Sequence, residues 1–250
     1  MVERNSRAAL ATFFADGPLR AGDVVRLNEG ASHHAHVRRL VPGDTILLTD
    51  GAGTRASAEL ARLRRNELEA RVIEREVVPR PRAIHLRAPV ADRDRMLWLA
   101  EKATELGIAS WQAVRFRRSA SVAPRGEGTG FAAKLRARMI SALEQSGGGW
   151  LPEIQPEVEP GRLDAPSGAI ALVLDEGGAP ILPALTATRS EVAIALGPEG
   201  GLEPEELQLL ATRGWRSVRV ASTTLRFETA GIAAIAVARA TTLSEDAWHG

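Results

Sequence analysis

The spacing of hydrophobic and polar positions changes once along this chain, near residue 80. Before that point, short apolar runs at 24–27, 45–50, 56–63 and 68–74 are separated by turn residues. Runs of this length and punctuation predict β-strands. Asp50-Gly51-Ala52-Gly53 reads as a hairpin turn between two of them. Residues 8–14, which end in Phe13-Phe14, read as a first strand; the run is too short for a secretion signal and lacks a small-residue cleavage site. Residues 32–40 predict a short helix with Ser32 as its N-cap, ending before Pro42-Gly43. Val77-Val-Pro-Arg-Pro-Arg82 reads as a linker. It divides the chain into a first domain, 1–78, and a second, 79–250.

Beyond the linker the period alternates. Strands are expected at 84–89, 110–114, 169–174, 192–196 and 217–220. Helices are expected at 93–106, 131–145, 204–212 and 228–243. Gly107 ends the first of these helices at its C′ position, and Gly147-Gly148-Gly149 end the second. Strand and helix in turn argue for an α/β domain with a largely parallel sheet. No apolar run is long enough to span a bilayer.

Composition narrows the picture. The 250 residues fit one or two domains, and 44% hydrophobic with 25% charged content is that of an ordinary globular protein. Cysteine is absent, which excludes disulfides, iron–sulfur clusters and cysteine-type zinc sites and agrees with a reducing cytoplasm. Net charge is only +1, but all except two of the 32 cations are arginine, a planar fork suited to phosphate and base edges. Between residues 115 and 138, Arg115, Arg117, Arg118, Arg125, Lys134, Arg136 and Arg138 face a single acid, Glu127. That excess reads either as a polyanion footprint or as a solvated face. Trp111, beside these arginines, reads as core. His33, His34 and His36 lack a nearby acid to complete a metal shell, so no metal is expected there.

The chemistry concentrates at three expected strand ends: Leu174-Asp-Glu-Gly-Gly178, Leu196-Gly-Pro-Glu-Gly-Gly201 and 220–226. Ligands of open α/β sheets sit at such ends. No phosphate-loop or dinucleotide glycine pattern is present, and Glu199 at the centre of the glycine turn would repel a phosphate. A ligand with a neutral or positive reactive centre fits better.

Five segments, in order, resemble one family. They are His33-His-Ala-His-Val-Arg-Arg-Leu40 with Gly43-Asp44 and Asp50-Gly51, Lys102-Ala-Thr-Glu-Leu-Gly107, Ala142-Leu-Glu-Gln-Ser146 with Pro152, Gly197-Pro-Glu-Gly-Gly201, and Leu225-Arg-Phe-Glu-Thr-Ala230. Together they are similar to the motifs of the ribosomal small-subunit methyltransferase E family, within the SpoU–TrmD (SPOUT) class of knotted methyltransferases. The resemblance implies an N-terminal PUA-like β-barrel, then an α/β SPOUT domain with a deep trefoil knot, in a cytoplasmic homodimer. It implies S-adenosylmethionine as cofactor and methylation at N3 of one uridine in small-subunit (16S) ribosomal RNA, with the assembled small subunit as the expected substrate.

By match, Leu174, Glu176, Gly197, Gly200, Gly201, Val220 and Leu225 are assigned to the donor pocket. Uridine N3 must lose a proton to accept a methyl, so a base or an anion-stabilising group is required. Arg226 is the candidate for stabilising the anion or gripping phosphate. Glu199 and Glu228 are candidate bases, and Glu228 also suits the start of the last helix. RNA contact is expected from His33, His34, Arg38, Arg39, Arg115, Arg117, Arg118, Arg136, Arg138 and Gln145.

The chain departs from the family pattern where Leu-Gly-x-Arg commonly precedes the last motif: here Val220-Ala-Ser-Thr223 stands. Gly147 replaces the arginine usual after Glu-Gln-Ser, Phe227 replaces a threonine, and Thr12 replaces an arginine. Two other readings remain at this level: a knotted methyltransferase with another RNA target, and an RNA-binding ribosome assembly factor without catalysis.

Overall fold

A computed structural model describes residues 11–121, 125–187 and 189–241. Two compact units emerge: one comprises the chain up to Arg80 together with Ile140–Leu151, and the other the remainder.

The first unit holds a five-stranded sheet. Its strands are β1 (Thr12–Phe14), β2 (Val24–Leu27), β3 (Thr45–Thr49), β4 (Thr54–Arg64) and β5 (Glu67–Val77), in the order β1-β3-β4-β5-β2. All neighbours are antiparallel except β1 and β3. The two-residue period is plain in β4 and β5: Ala56, Ala58, Leu60, Leu68, Ala70 and Val72 point inward and join Phe13, Ile46 and Leu48 in one core. Residues 8–10 of the expected first strand lie outside the described residues. Asp50 makes the expected hairpin, its Oδ1 accepting from the amides of Ala52 and Thr54 at 2.8 Å each. Gly51 and Gly53 take positive φ there, and a side chain on Gly53 would collide with the Trp150 ring.

The helix α1 spans Glu29–Val37, so it starts three residues before the expected Ser32. Asn28 is the cap, accepting from the Ala31 amide, and Glu29 places an acid against the positive helix end. Ser32 is instead a buried residue within the helix, its hydroxyl donating to the Arg64 carbonyl. Asn28, not Ser32, is the cap: an earlier asparagine supplies the same chemistry.

The second unit is built on six parallel strands: β6 (Ile84–Pro89), β7 (Ser110–Val114), β8 (Glu153–Val158), β9 (Ile170–Pro180), β10 (Val192–Ala195) and β11 (Arg216–Arg219). Their order is β11-β9-β10-β6-β7-β8. The chain runs outward from β6 to β8 and returns to β9, leaving a place beside β6 that β10 fills later. The unit's helices are α2 (Arg93–Glu105), α4 (Ile181–Thr186), α5 (Pro204–Thr212) and α6 (Phe227–Ala240), while α3 (Gly128–Ser146) begins in this unit and ends in the first. Leu243, expected at the end of α6, lies outside the described residues. Strand β8 and helix α4 have no counterpart among the expected elements.

Side chains satisfy the starts of α2 and α5. Asp92 caps α2 by accepting from Asp94 and Arg95 amides. At its other end Gly107 has φ +72, and Arg239 donates to the Leu106 and Gly107 carbonyls. Glu203 and Glu206 form a reciprocal capping box on α5. Trp111 is core, 1% exposed.

Candidate functional site

Strands β11, β9 and β10 are adjacent and parallel, so their C-terminal ends share one edge of the sheet. A pocket of about 600 Å³ opens there, within the size range of small-molecule sites, roughly 300–1,000 Å³. Three stretches line it. From β9 come Leu174, Asp175 and Glu176. The turn after β10 supplies Leu196 to Leu202, and the stretch after β11 supplies Val220, Ala221 and Thr223 to Phe227.

The first stretch differs in form from the expected loop. Strand β9 continues through it to Pro180, but its pairing with β11 jumps from Val173–Ser217 to Ala179–Val218. Residues 174–178 therefore bulge from the ladder, and Leu174, Asp175 and Glu176 of this bulge line the pocket. Gly178 closes this bulge, with a Cβ there falling 2.4 Å from the Val218 amide nitrogen. A glycine is needed because two backbones meet at that point.

The second stretch is a tight turn. The Gly201 amide donates to the Pro198 carbonyl at 2.8 Å, and Gly201 has φ +74. Glu199 Oε1 accepts from the Asp92 amide at 3.2 Å. The Arg118 guanidinium donates to the Gly200 carbonyl. Buried Glu206 accepts from the Arg117 and Glu203 amides at 2.8 and 2.9 Å. The third stretch has no such support: among the described residues, no hydrogen bond anchors 220–225, and Arg226 makes only the first backbone turn of α6.

The pocket brings together all seven residues assigned to the donor, and with them Glu199 and Arg226. Glu228 is not among the lining residues. It is buried in the first turn of α6, with one carboxylate oxygen 4.0 Å from Arg95 Nε and the other without a hydrogen-bond partner among the described residues. Arg95, which lines the pocket from the start of α2, escaped sequence reasoning, as did Leu202 and Thr224. Only the N-cap Asp92, three residues before it, marked that helix start.

The basic stretch is less bare than its sequence suggests. Arg115 bridges Glu127 and Glu157 at 2.6 and 2.7 Å, and those bonds hold its guanidinium above the ordinary arginine value. Arg117 pairs with Glu203 at 2.9 Å and Arg138 with Glu101 at 3.2 Å. Arg117, Arg136 and Arg138 remain exposed. In the first unit His33, Arg38, Arg39 and Gln145 are exposed, while His34 is half-buried with its ring 5.3 Å from that of Phe13. Among the described residues, no group of three or more potential ligands is arranged to hold a metal, and no helix is long and apolar enough to cross a membrane.

Residues 78–239 match the RNA methyltransferase domain family, and 27–73 match the RNA methyltransferase PUA domain. The chain is 33% identical over 216 residues to ribosomal RNA small subunit methyltransferase E of Mycobacterium bovis, covering 81% of this chain and 80% of that one. The crystal structure of the same-named protein from Neisseria gonorrhoeae, bound to S-adenosyl methionine, superposes with a TM-score of 0.82 at 28% identity, over 92% of this chain and 97% of that one. A predicted RNA methyltransferase from Thermotoga maritima superposes with a TM-score of 0.72 at 25% identity, over 92% and 97%. With the pocket built from the strand ends that carry its motifs, the chain belongs to the ribosomal RNA small subunit methyltransferase E family.

Proposed function

We propose that this protein uses S-adenosylmethionine to methylate N3 of one uridine in small-subunit ribosomal RNA, with the assembled subunit as substrate. The observation that carries the reading is the pocket itself. Three strand-end stretches, two of them glycine-rich, meet around a cavity of about 600 Å³ whose side chains include Asp175, Glu176 and Glu199. Its apolar walls, Leu174, Val220 and Leu225, suit an adenosyl group, and its glycine turns let the backbone come close to a ligand. The carboxylates suit a sulfonium cation and would disfavour a phosphate.

When bound, S-adenosylmethionine supplies an electrophilic methyl group. This chain's residues deal with the acceptor. The N3 proton must leave for the nitrogen to take the methyl; its loss puts negative charge on N3 and the flanking uridine oxygens, and that charge is consumed as the N3–methyl bond forms. Arg226, exposed at the pocket edge, is placed to stabilise that charge. Of the two candidate bases, Glu199 lines the pocket and is the one placed to take the proton, whereas Glu228 is a support for Arg95 and the α6 start.

The domain reading follows the same line. Residues 1–78 form a PUA-like RNA-binding barrel, and 79–250 form a SPOUT domain. The late insertion of β10 between β9 and β6 supports a trefoil knot. RNA contact is assigned to His33, His34, Arg38, Arg39 and Gln145 in the first unit and to Arg117, Arg136 and Arg138 in the second, with Arg115 set back between two glutamates. The protein acts as a cytoplasmic homodimer. Mass spectrometry of small-subunit RNA from a strain lacking the protein tests the reaction. Loss of a single N3-methyluridine is expected, and its unchanged presence would overturn the proposal.

A further inference from the structure

We propose that Arg118, which its sequence context assigns to RNA, is a positioning residue for the methyl donor. This rests on the reading of the pocket as the donor site. The Gly200–Gly201 peptide is the most easily rotated link in the turn, because neither residue carries a Cβ to restrict it. It is held at both ends. Its N–H donates to Pro198, and its carbonyl accepts from Arg118. The arginine stem lies over the same glycine: a Cβ on Gly200 would sit 3.1 Å from Arg118 Cδ and 3.3 Å from its Cβ. Glycine at 200 thus makes room for Arg118 as well as for a ligand.

Arg118 is itself held. The neighbouring Arg117 amide donates to Glu206, 4% exposed, and the Arg117 guanidinium reaches Glu203. Arg118 Nε lies 3.8 Å from Glu203. The segment is therefore latched to the α5 capping box, and through Arg118 to the turn that lines the pocket. A pocket wall fixed in advance costs less to order on binding than one that must settle around its ligand.

Calorimetry with S-adenosylmethionine and steady-state kinetics on R118A and R118K test this, alongside binding of small-subunit ribosomal RNA across a salt series. R118A should raise Kd and KM for the donor about tenfold, the size expected for one charge-assisted hydrogen bond. Its kcat and the salt slope of RNA binding should stay near those of the parent. R118K, with a point charge in place of the fork, should recover part of the donor affinity. Parent-like donor affinity in R118A would overturn the proposal. So would a salt slope reduced by about one with donor affinity intact, the mark of a lost phosphate contact. If the parent itself binds no donor, the functional reading fails first, which separates the two failures.

Discussion

Two of the pocket's stretches, 197–202 and 220–226, carry comparable motifs and differ in how they are held. The first is bonded through Glu199 to the start of α2, through Gly200 to Arg118 and through the Glu203–Glu206 box to α5. The second runs between its strand and helix without a hydrogen bond from 220–225 among the described residues. It is also where the family's glycine and arginine give way to Ala221 and Thr223. One wall of the site is therefore prepared before a ligand arrives, and the other is shaped mainly by its chain ends. The held wall suits donor recognition. The unheld wall ends in Arg226, the group assigned to the acceptor.

The largest test of this division is R226A. It should lower kcat about a hundredfold, as loss of a charge-stabilising donor does, with donor affinity unchanged by calorimetry. A normal kcat would remove catalysis from the second stretch. Next in size is E206Q. It replaces a buried carboxylate that accepts two amide protons by an amide that can match only one. A cost of about 1–3 kcal/mol is expected, read as a melting point lower by roughly 2–4 °C per kcal/mol in a chain of this size. T224A, in the exposed stretch, should stay within about 0.5 kcal/mol of the parent. Equal melting points for the two variants would contradict the asymmetry.

The smallest effect concerns Glu127, which supports the segment bearing Arg118. The Arg115 hydrogen bond holds its carboxyl below the ordinary 4.5; burial opposes this, and Arg125 adds to it. A depressed carboxyl pKa stabilises the fold above the unfolded value and loses that contribution as pH falls through the folded one. E127Q should therefore melt lower than the parent near pH 7 and converge with it as the pH falls below the folded carboxyl's pKa. The gap should be under about 1 kcal/mol, since both side chains are a third exposed and screened by water. A gap that stayed constant with pH would deny the ion pair its role.

Much of the fold was legible because burial within an element repeats locally. The alternation in β4 and β5, the turn at Asp50 and the stop at Gly107 all lie within a few residues of their cause. Misreadings arose where two local signals competed or a distant partner intervened. Asn28 capped α1 ahead of Ser32. The stretch 174–178 remained strand because β11 pairs on both sides of it. The apparent excess of charge from 115 to 138 shrank because Glu101, Glu157 and Glu203, remote in sequence, fold against it.

By itself, then, the amino-acid sequence determined the class of most elements, β8 and α4 excepted, the change of architecture near residue 80 and the motifs that carry the site. Those are properties of short windows, set by side-chain size, polarity and backbone freedom. Only the tertiary structure decided that β10 enters between β9 and β6, so that three strand ends share one edge. It likewise decided that Arg95 lines the pocket and that Arg118 holds a carbonyl 82 residues away. Contacts of that kind depend on the order in which strands pack, which no local period encodes.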